Sequence, residues 1–313
     1  MKETRRSFII NSGKGLLGIS ALSAFPLLNS HKAMAQPDLF FKISLAEWSL
    51  NKTLFSGKLT NMEFPAKAKN DFGIQAVEYV NQFFMDKAED EAYLKELKSR
   101  TSDLGITNVL IMIDNEGYLA DESESKRITA VENHYKWVEA ARFLGCHSIR
   151  VNAYATSSDP DAGKKAAIDG LSRLTTFAEP YGIGIIVENH GGFSSNGVWL
   201  ADVIQKVNKP LCGTLPDFGN FCIKRGPNGC EEEYDKYKGV KELMPFAKGV
   251  SAKSGRFDTQ GNETNIDYMG MLQIVKDAGY TGYVGIESGS DTDEDHAIRL
   301  TKTLLEKVGR KLS

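Results

Sequence analysis

Along most of the chain, short apolar and β-branched runs alternate with longer stretches in which apolar positions recur every three or four residues. The short runs are Phe41–Ala46, Ile74–Tyr79, Thr107–Ile113, Ser148–Asn152, Ile183–Glu188, Cys212–Asp217, Gly249–Ala252 and Tyr283–Glu287. They read as strands buried on both faces, which are near-continuously apolar instead of strictly alternating. The longer stretches include Asp90–Leu104, Arg127–Leu144, Gly163–Tyr181, Trp199–Val207 and Asp267–Ala278, and their period is that of amphipathic helices. Gly73, Gly105, Gly145, Gly182 and Gly279 stand just before the next strand, the place of a helix C-cap. Strands alternating with helices predict an α/β fold with a parallel sheet covered by helices, and eight such units close into a single-domain (β/α)8 TIM barrel. An open doubly wound sheet would carry a glycine-rich phosphate turn after its first strand. Here that strand runs into Glu47-Trp48-Ser49-Leu50-Asn51.

The first 35 residues do not follow this pattern. Thr4-Arg5-Arg6-Ser7-Phe8-Ile9-Ile10 resembles a twin-arginine export signal, Leu16–Leu28 is weakly apolar, and Ala33-Met34-Ala35 has the small-x-small form of a signal-peptidase site. The apolar run is too short and too rich in Gly, Ser and Pro for a span of ~20 residues. The expectation is a signal peptide over residues 1–35 and a barrel over 36–313, exported and periplasmic, with no membrane span left after cleavage. The barrel part then has 278 of the 313 residues, close to the ~250 usual for this architecture. The signal carries Lys2, Arg5, Arg6, Lys14 and Lys32 against Glu3, so its removal takes the chain from a net charge of −3 to −7. No basic stripe remains, and nucleic acid is not an expected partner. Cys146 and Cys212 fall at strand starts, where small buried residues belong, whereas Cys222 and Cys230 bracket Gly226-Pro227-Asn228-Gly229 and can pair in an oxidising compartment. No C-x-x-C pair is present to suggest a cysteine zinc site.

In a parallel barrel the C-terminal strand ends carry the chemistry, and here they are polar. In strand order they bring Glu47; Glu78; Asp114; Asn152; Glu188 and His190; Asp217 and Asn220; Ser251 and Lys253; and Glu287. Converging carboxylates repel one another unless protons or a cation compensate, and a divalent metal held by oxygen ligands is the economical compensation. His190 lies two residues after Glu188 and Lys253 two after Ser251, so a strand's period of two points each pair the same way.

The segments Val187-Glu188-Asn189-His190-Gly191-Gly192, Pro216-Asp217-Phe218-Gly219-Asn220, Gly249-Val250-Ser251-Ala252-Lys253 and Tyr283-Val284-Gly285-Ile286-Glu287 resemble the xylose isomerase-like barrels, a family of sugar isomerases, sugar 3-epimerases and hydroxypyruvate isomerase-like proteins. The resemblance covers nearly all of residues 36–313. It implies a divalent metal (Mn, Co, Mg or Zn) held by Glu, Asp, His and Glu from the last four strands. Glu188, Asp217 and Glu287 match three of these positions; Ser251 stands where the family commonly has the histidine, and Asn220 where a second histidine often follows the aspartate. Replacing imidazoles by oxygen groups favours a harder, more labile ion. The resemblance also implies Glu188 and Glu287 as an acid/base pair on opposite faces of the substrate, and possible homo-oligomers.

The chemistry implied is proton abstraction next to a carbonyl, with the developing enediolate stabilised electrostatically. His190 is a further candidate base. Lys253, Asn152, Asn220, Glu78 and Trp48 are candidate substrate contacts, Trp48 because a flat apolar face suits sugar C–H groups. His134 and His147 read as structural. No phosphate cradle or arginine cluster is evident, so the expected substrate is a non-phosphorylated sugar or keto-sugar. A keto-glycoside lyase using the same intermediate is one alternative, and a non-catalytic periplasmic sugar-binding protein is another.

Overall fold

A computed structural model describes residues 38–289 and 293–313. The expected signal peptide lies outside the described residues. The strands are β1 (Lys42–Ala46), β2 (Ala76–Val80), β3 (Thr107–Met112), β4 (Ser148–Asn152), β5 (Gly184–Glu188), β6 (Cys212–Leu215), β7 (Cys222–Gly226), β8 (Gly229–Glu233), β9 (Val250–Ser254) and β10 (Tyr283–Ser288). The helices are α1 (Asn51–Phe55), α2 (Phe64–Phe72), α3 (Glu91–Asp103), α4 (Glu124–Asn133), α5 (Tyr135–Leu144), α6 (Pro160–Ala178), α7 (Gly197–Val207), α8 (Lys236–Leu243), α9 (Tyr268–Asp277) and α10 (Glu294–Leu312).

Eight strands form one parallel sheet in the order β6-β5-β4-β3-β2-β1-β10-β9. At the seam between β6 and β9 the ladder thins to two parallel bridges, Thr214 to Ala247 and Asp217 to Ser251. Ser251 N–H donates to the Pro216 carbonyl at 2.9 Å and Phe218 N–H to the Ser251 carbonyl at 3.1 Å, which closes the barrel. Pro216 has no N–H for the ladder, so β6 stops at Leu215, short of the expected Asp217. The strands β7 and β8 pair only with each other, as an exposed antiparallel hairpin carrying a Cys222–Cys230 disulfide. The sequence had marked this stretch only as a loop between two cysteines.

Most of the apolar core lies between strands and helices, with Phe64, Tyr79, Trp137 and Phe218 fully buried. A smaller cluster including Ala46, Val80, Leu110, Met112, Ile186 and Leu215 fills the barrel interior. The two-residue period carries that inner face toward the strand ends, from Met112 to Asp114, Ile186 to Glu188 and Leu215 to Asp217. The connections entering α3, α6, α7, α8, α9 and α10 each end on an Asp or Asn whose side chain accepts a helix N–H. Each such cap contributes about 1 kcal/mol and fixes a loop on the face where the strands end.

One expected helix is two. Arg127–Leu144 breaks at His134, whose Nδ1 lies 2.7 Å from the Ala130 carbonyl. That carbonyl is the one the His134 N–H would take in a continuous helix; the N–H turns to Val131 at 3.1 Å instead.

Candidate active site

Glu188, Asp217 and Glu287 meet at the C-terminal end of the barrel. One carboxylate oxygen from each lies within 4.8 Å of the others, and all three residues are buried. Above them opens a cavity of about 520 Å³ whose lining includes Trp48, Asn152, Glu188, His190, Lys253 and Glu287.

Each carboxylate is oriented by neighbours. Asp217 Oδ1 accepts the N–H groups of Gly219 and Asn220 at 2.7 and 2.8 Å, and its Oδ2 accepts from Ser251 Oγ at 2.7 Å. Ser251 Oγ also lies 3.2 Å from Glu287 Oε2, and the other Glu287 oxygen is ion-paired with Lys253 Nζ. Glu188 Oε1 accepts from Asn220 Nδ2 at 2.9 Å. Its Oε2 lies 2.9 Å from Arg150 Nε, but out of line, so that this buried oxygen accepts no hydrogen bond. Asn189 ties the two strand ends together: its Nδ2 donates to the Asp217 carbonyl at 3.0 Å and its Oδ1 accepts the Asp217 N–H at 2.8 Å.

A second network runs from Asp114 at the end of β3. Asp114 Oδ1 accepts from Arg150 at 2.9 Å and from Asn152 Nδ2 at 2.8 Å. With its amide so oriented, Asn152 presents its Oδ1 to His190 Nδ1 at 3.1 Å. Nδ1 therefore carries the proton in the neutral ring, and Nε2 is left as the acceptor. Tyr154 Oη completes the contact to Nδ1 at 3.1 Å.

The electrostatics follow from burial and two cations. Burial pushes Glu188 up to about 7 against the pull of Arg150, and Asp217 up to about 7 against Lys253. Burial would raise Glu287 too, but the Lys253 ammonium outweighs it and holds that carboxyl below its ordinary range. Burial also opposes ionisation of Asp114, yet Arg150 pulls it down to about 2. His190 is lowered by burial and by Arg150, which keeps the ring neutral at pH 7. With all four carboxylates (Asp114, Glu188, Asp217, Glu287) ionised, they would face two permanent cations, Arg150 and Lys253, and the shortfall would be two positive charges, the charge of one divalent ion. That balance, a Glu188 oxygen that accepts no hydrogen bond and an all-oxygen donor set fit a hard divalent metal held by Glu188, Asp217 and Glu287.

The sequence matches the family model of the xylose isomerase-like TIM barrel over residues 66–307. The chain belongs to this family. Among solved structures, a zinc-bound IolI protein is similar at a TM-score of 0.67 and 16% identity, covering 87% of this chain and 99% of that one. A D-tagatose 3-epimerase-like protein gives 0.66 and 21%, covering 87% and 100%. The 3-keto-D-glucoside 4-epimerase YcjR from E. coli gives 0.62 and 15%, covering 86% and 100%. No curated protein sequence matches the chain.

Of the other residues singled out from the sequence of this xylose isomerase-like barrel, Trp48, Asn152, His190 and Lys253 border the cavity. Ser251 and Asn220 sit behind the carboxylates and donate to them, and Asn220 is not among the cavity's lining. Glu78 is misplaced as a substrate contact. It is buried in the barrel interior against Ser44 Oγ at 2.5 Å, in room that exists because Gly285 has no side chain: a Cβ there would meet Glu78 Oε1 at 2.5 Å. Glu47 is a brace that accepts from Val80 N–H and Asn61 Nδ2, each at 2.9 Å. Arg150 was missed, although an arginine two residues before Asn152 within a buried strand is the same signal that found His190. His134, read as structural, does make its backbone bond, and its ring also reaches the cavity wall.

Proposed function

We propose that this protein is a metal-dependent sugar isomerase or epimerase, acting by proton abstraction next to a carbonyl on a non-phosphorylated sugar or keto-sugar. The observation that carries the reading is the convergence of Glu188, Asp217 and Glu287 within 4.8 Å on the floor of a polar cavity in a xylose isomerase-like barrel. The names of the D-tagatose 3-epimerase-like and 3-keto-D-glucoside 4-epimerase neighbours are in line with it. Glu188, Asp217 and Glu287 would hold a divalent ion (Mn, Co, Mg or Zn), which would supply Lewis-acid polarisation of the substrate's carbonyl.

The chain's own groups do the rest. Glu188, at the cavity floor, takes the proton from the carbon next to the carbonyl and returns it. Glu287, held ionised by Lys253, is the partner base on the other side. Lys253 keeps a permanent ammonium at the cavity edge, where it donates to a substrate oxygen as negative charge develops. Returning the proton to the neighbouring carbon gives isomerisation; returning it to the opposite face of the same carbon gives epimerisation.

A second reading, elimination from a keto-glycoside, draws on His190, whose fixed tautomer leaves Nε2 as an acceptor at the cavity wall. The export signal expected over residues 1–35 supports a periplasmic site of action, and with it a free sugar or glycoside as substrate.

The test is the metal content of the protein purified without chelators, beside Glu287→Gln, followed by turnover of sugars and keto-sugars in deuterated water. Near-stoichiometric metal lost in the variant, with deuterium entering next to the carbonyl, is the expected result. No ion even after added metal would sink the mechanism.

A further inference from the structure

The cavity over the carboxylates is larger than one sugar ring requires. Its volume of about 520 Å³ equals roughly 17 waters at the ~30 Å³ each occupies in the liquid, whereas a hexose has twelve non-hydrogen atoms. Nor does the space end there. Gly117 and Tyr118 line this cavity and also a second one of about 350 Å³, bordered by polar side chains including Ser125, Thr129 and Asn133.

Tyr118 stands between the two. Its neighbours Leu119 and Ala120 are fully buried, yet Tyr118 itself is 51% exposed. Its ring meets Tyr154 edge-on at 5.8 Å, and Tyr154 in turn lies 5.8 Å from the ring of His190. The loop that presents it is tightly specified. Gly117 has φ +92°, and a Cβ there would lie 2.9 Å from the Ala130 methyl. On the far side of the ring, Asp121 N–H returns to the Tyr118 carbonyl at 3.1 Å and Ala120 bridges to Ala155. A large aromatic ring held out of the core by a fixed backbone, between a polar cavity and a more apolar one edged by hydroxyl and amide groups, is a stacking platform.

We propose that the substrate is a glycoside of two rings. The reacting sugar lies over Glu188 and Glu287, and the second ring rests on the face of Tyr118 with its hydroxyls toward Ser125, Thr129 and Asn133. The inference rests on the sugar reading above and narrows it to a neutral disaccharide or a glycoside with a ring-sized aglycone.

The test is calorimetric titration of the metal-loaded protein with glucose and galactose, and with cellobiose, maltose, lactose and trehalose, in wild type and Tyr118→Ala. Alongside it, turnover is screened on keto-monosaccharides. At least one disaccharide is expected to bind about tenfold or more tightly than its component sugar, the upper range for one aromatic face. Tyr118→Ala should erase that gain and lower monosaccharide affinity by a much smaller factor. A gain that survives the substitution, or monosaccharide binding or turnover without any disaccharide gain, overturns the two-ring inference alone. Absence of all sugar binding together with absence of turnover overturns the sugar reading beneath it as well.

Discussion

Lys253→Met removes one charge and little volume, so it tests how the site balances its carboxylates. The ammonium is ion-paired to Glu287, and the two side chains are 23% and 6% exposed. Removing one partner of a buried pair costs about 3–5 kcal/mol because the other charge is left unpaired. The partial exposure of Lys253 puts the expected loss near the lower bound, about 3 kcal/mol, or roughly 6–12 °C in melting temperature for a chain of this size. The loss has a definite pH dependence. In the wild type Glu287 is held below its ordinary range, so the pair's contribution is present above the unfolded carboxyl's pKa and disappears as pH falls through the folded one. In the variant, burial acts on Glu287 unopposed by Lys253 and raises it, as burial already raises Glu188 and Asp217 to about 7. The deficit is therefore small at pH 5, where Glu287 takes a proton, and full at pH 8. Guanidinium denaturation of chelator-treated wild type and variant at pH 5, 6.5 and 8 measures it: groups remote from Lys253 cancel in the difference, and Glu188 and Asp217, which Lys253 also lowers, shift in the same direction as Glu287. A deficit under about 1 kcal/mol at pH 8, or one larger at pH 5 than at pH 8, refutes the charge account. Added manganese or magnesium should narrow the deficit at pH 8.

Metal binding at pH 7 should release about one proton per ion, since Glu188 and Asp217, both near 7, are each about half protonated there. Titration in buffers of different ionisation enthalpy reads this number, and stoichiometric binding with no proton release contradicts it. His190→Gln should lower kcat by roughly 100-fold or more while KM stays within a few-fold; unchanged kcat on a confirmed substrate would make the imidazole a wall residue only. Glu47 is pushed up to about 8 by burial, so its contribution is fully present below the unfolded pKa and lost as pH rises through 8. Glu47→Gln should flatten the fall in melting temperature between pH 5 and 8, the interval between the unfolded and folded values. It should also cost about 1–3 kcal/mol at pH 5, because an amide NH₂ then faces one of two donors, and that deficit should shrink as pH rises.

The barrel was legible because its strands are largely buried on both faces and five of its units close on a glycine in the left-handed region. The expected Ser148–Asn152 coincides with β4, and Gly73 and Gly145 do end their helices in the left-handed conformation. Where the reading slipped, a side chain had intervened in the backbone. Pro216 cut β6 short, and the His134 ring captured the Ala130 carbonyl and split a helix. In the site, strand-end position alone did not separate residues that look into the cavity from those that look away. Glu47, Glu78 and Glu188 share one sequence signature. The first braces a loop, the second lies within the barrel, and only the third reaches the cavity. What separates them is which partner arrives from elsewhere in the chain: Asn61, Ser44 and Arg150 respectively. No local pattern contains that information. Tyr118 was equally invisible, because its exposure depends on Gly117 and the packing of Ala130 in the following helix α4.

The two departures from the family's common ligand pattern bear on how this site attracts its ion. Histidine at either position would add a neutral nitrogen lone pair and select softer or borderline metals. Ser251 and Asn220 instead point donors at the carboxylates, from Ser251 Oγ to Asp217 at 2.7 Å and from Asn220 Nδ2 to Glu188 at 2.9 Å. These bonds hold the carboxylates together but consume lone pairs an ion would use. What remains to draw a cation is Glu188 Oε2, which accepts no hydrogen bond, and the charge of Asp114, Glu188, Asp217 and Glu287, which exceeds that of Arg150 and Lys253 by two once all four are ionised. Affinity then rests on charge more than on ligand identity, and protons are direct competitors near neutral pH. The expectation is that magnesium or manganese binds in preference to zinc, which competition between the ions at pH 7 checks; zinc displacing both contradicts it.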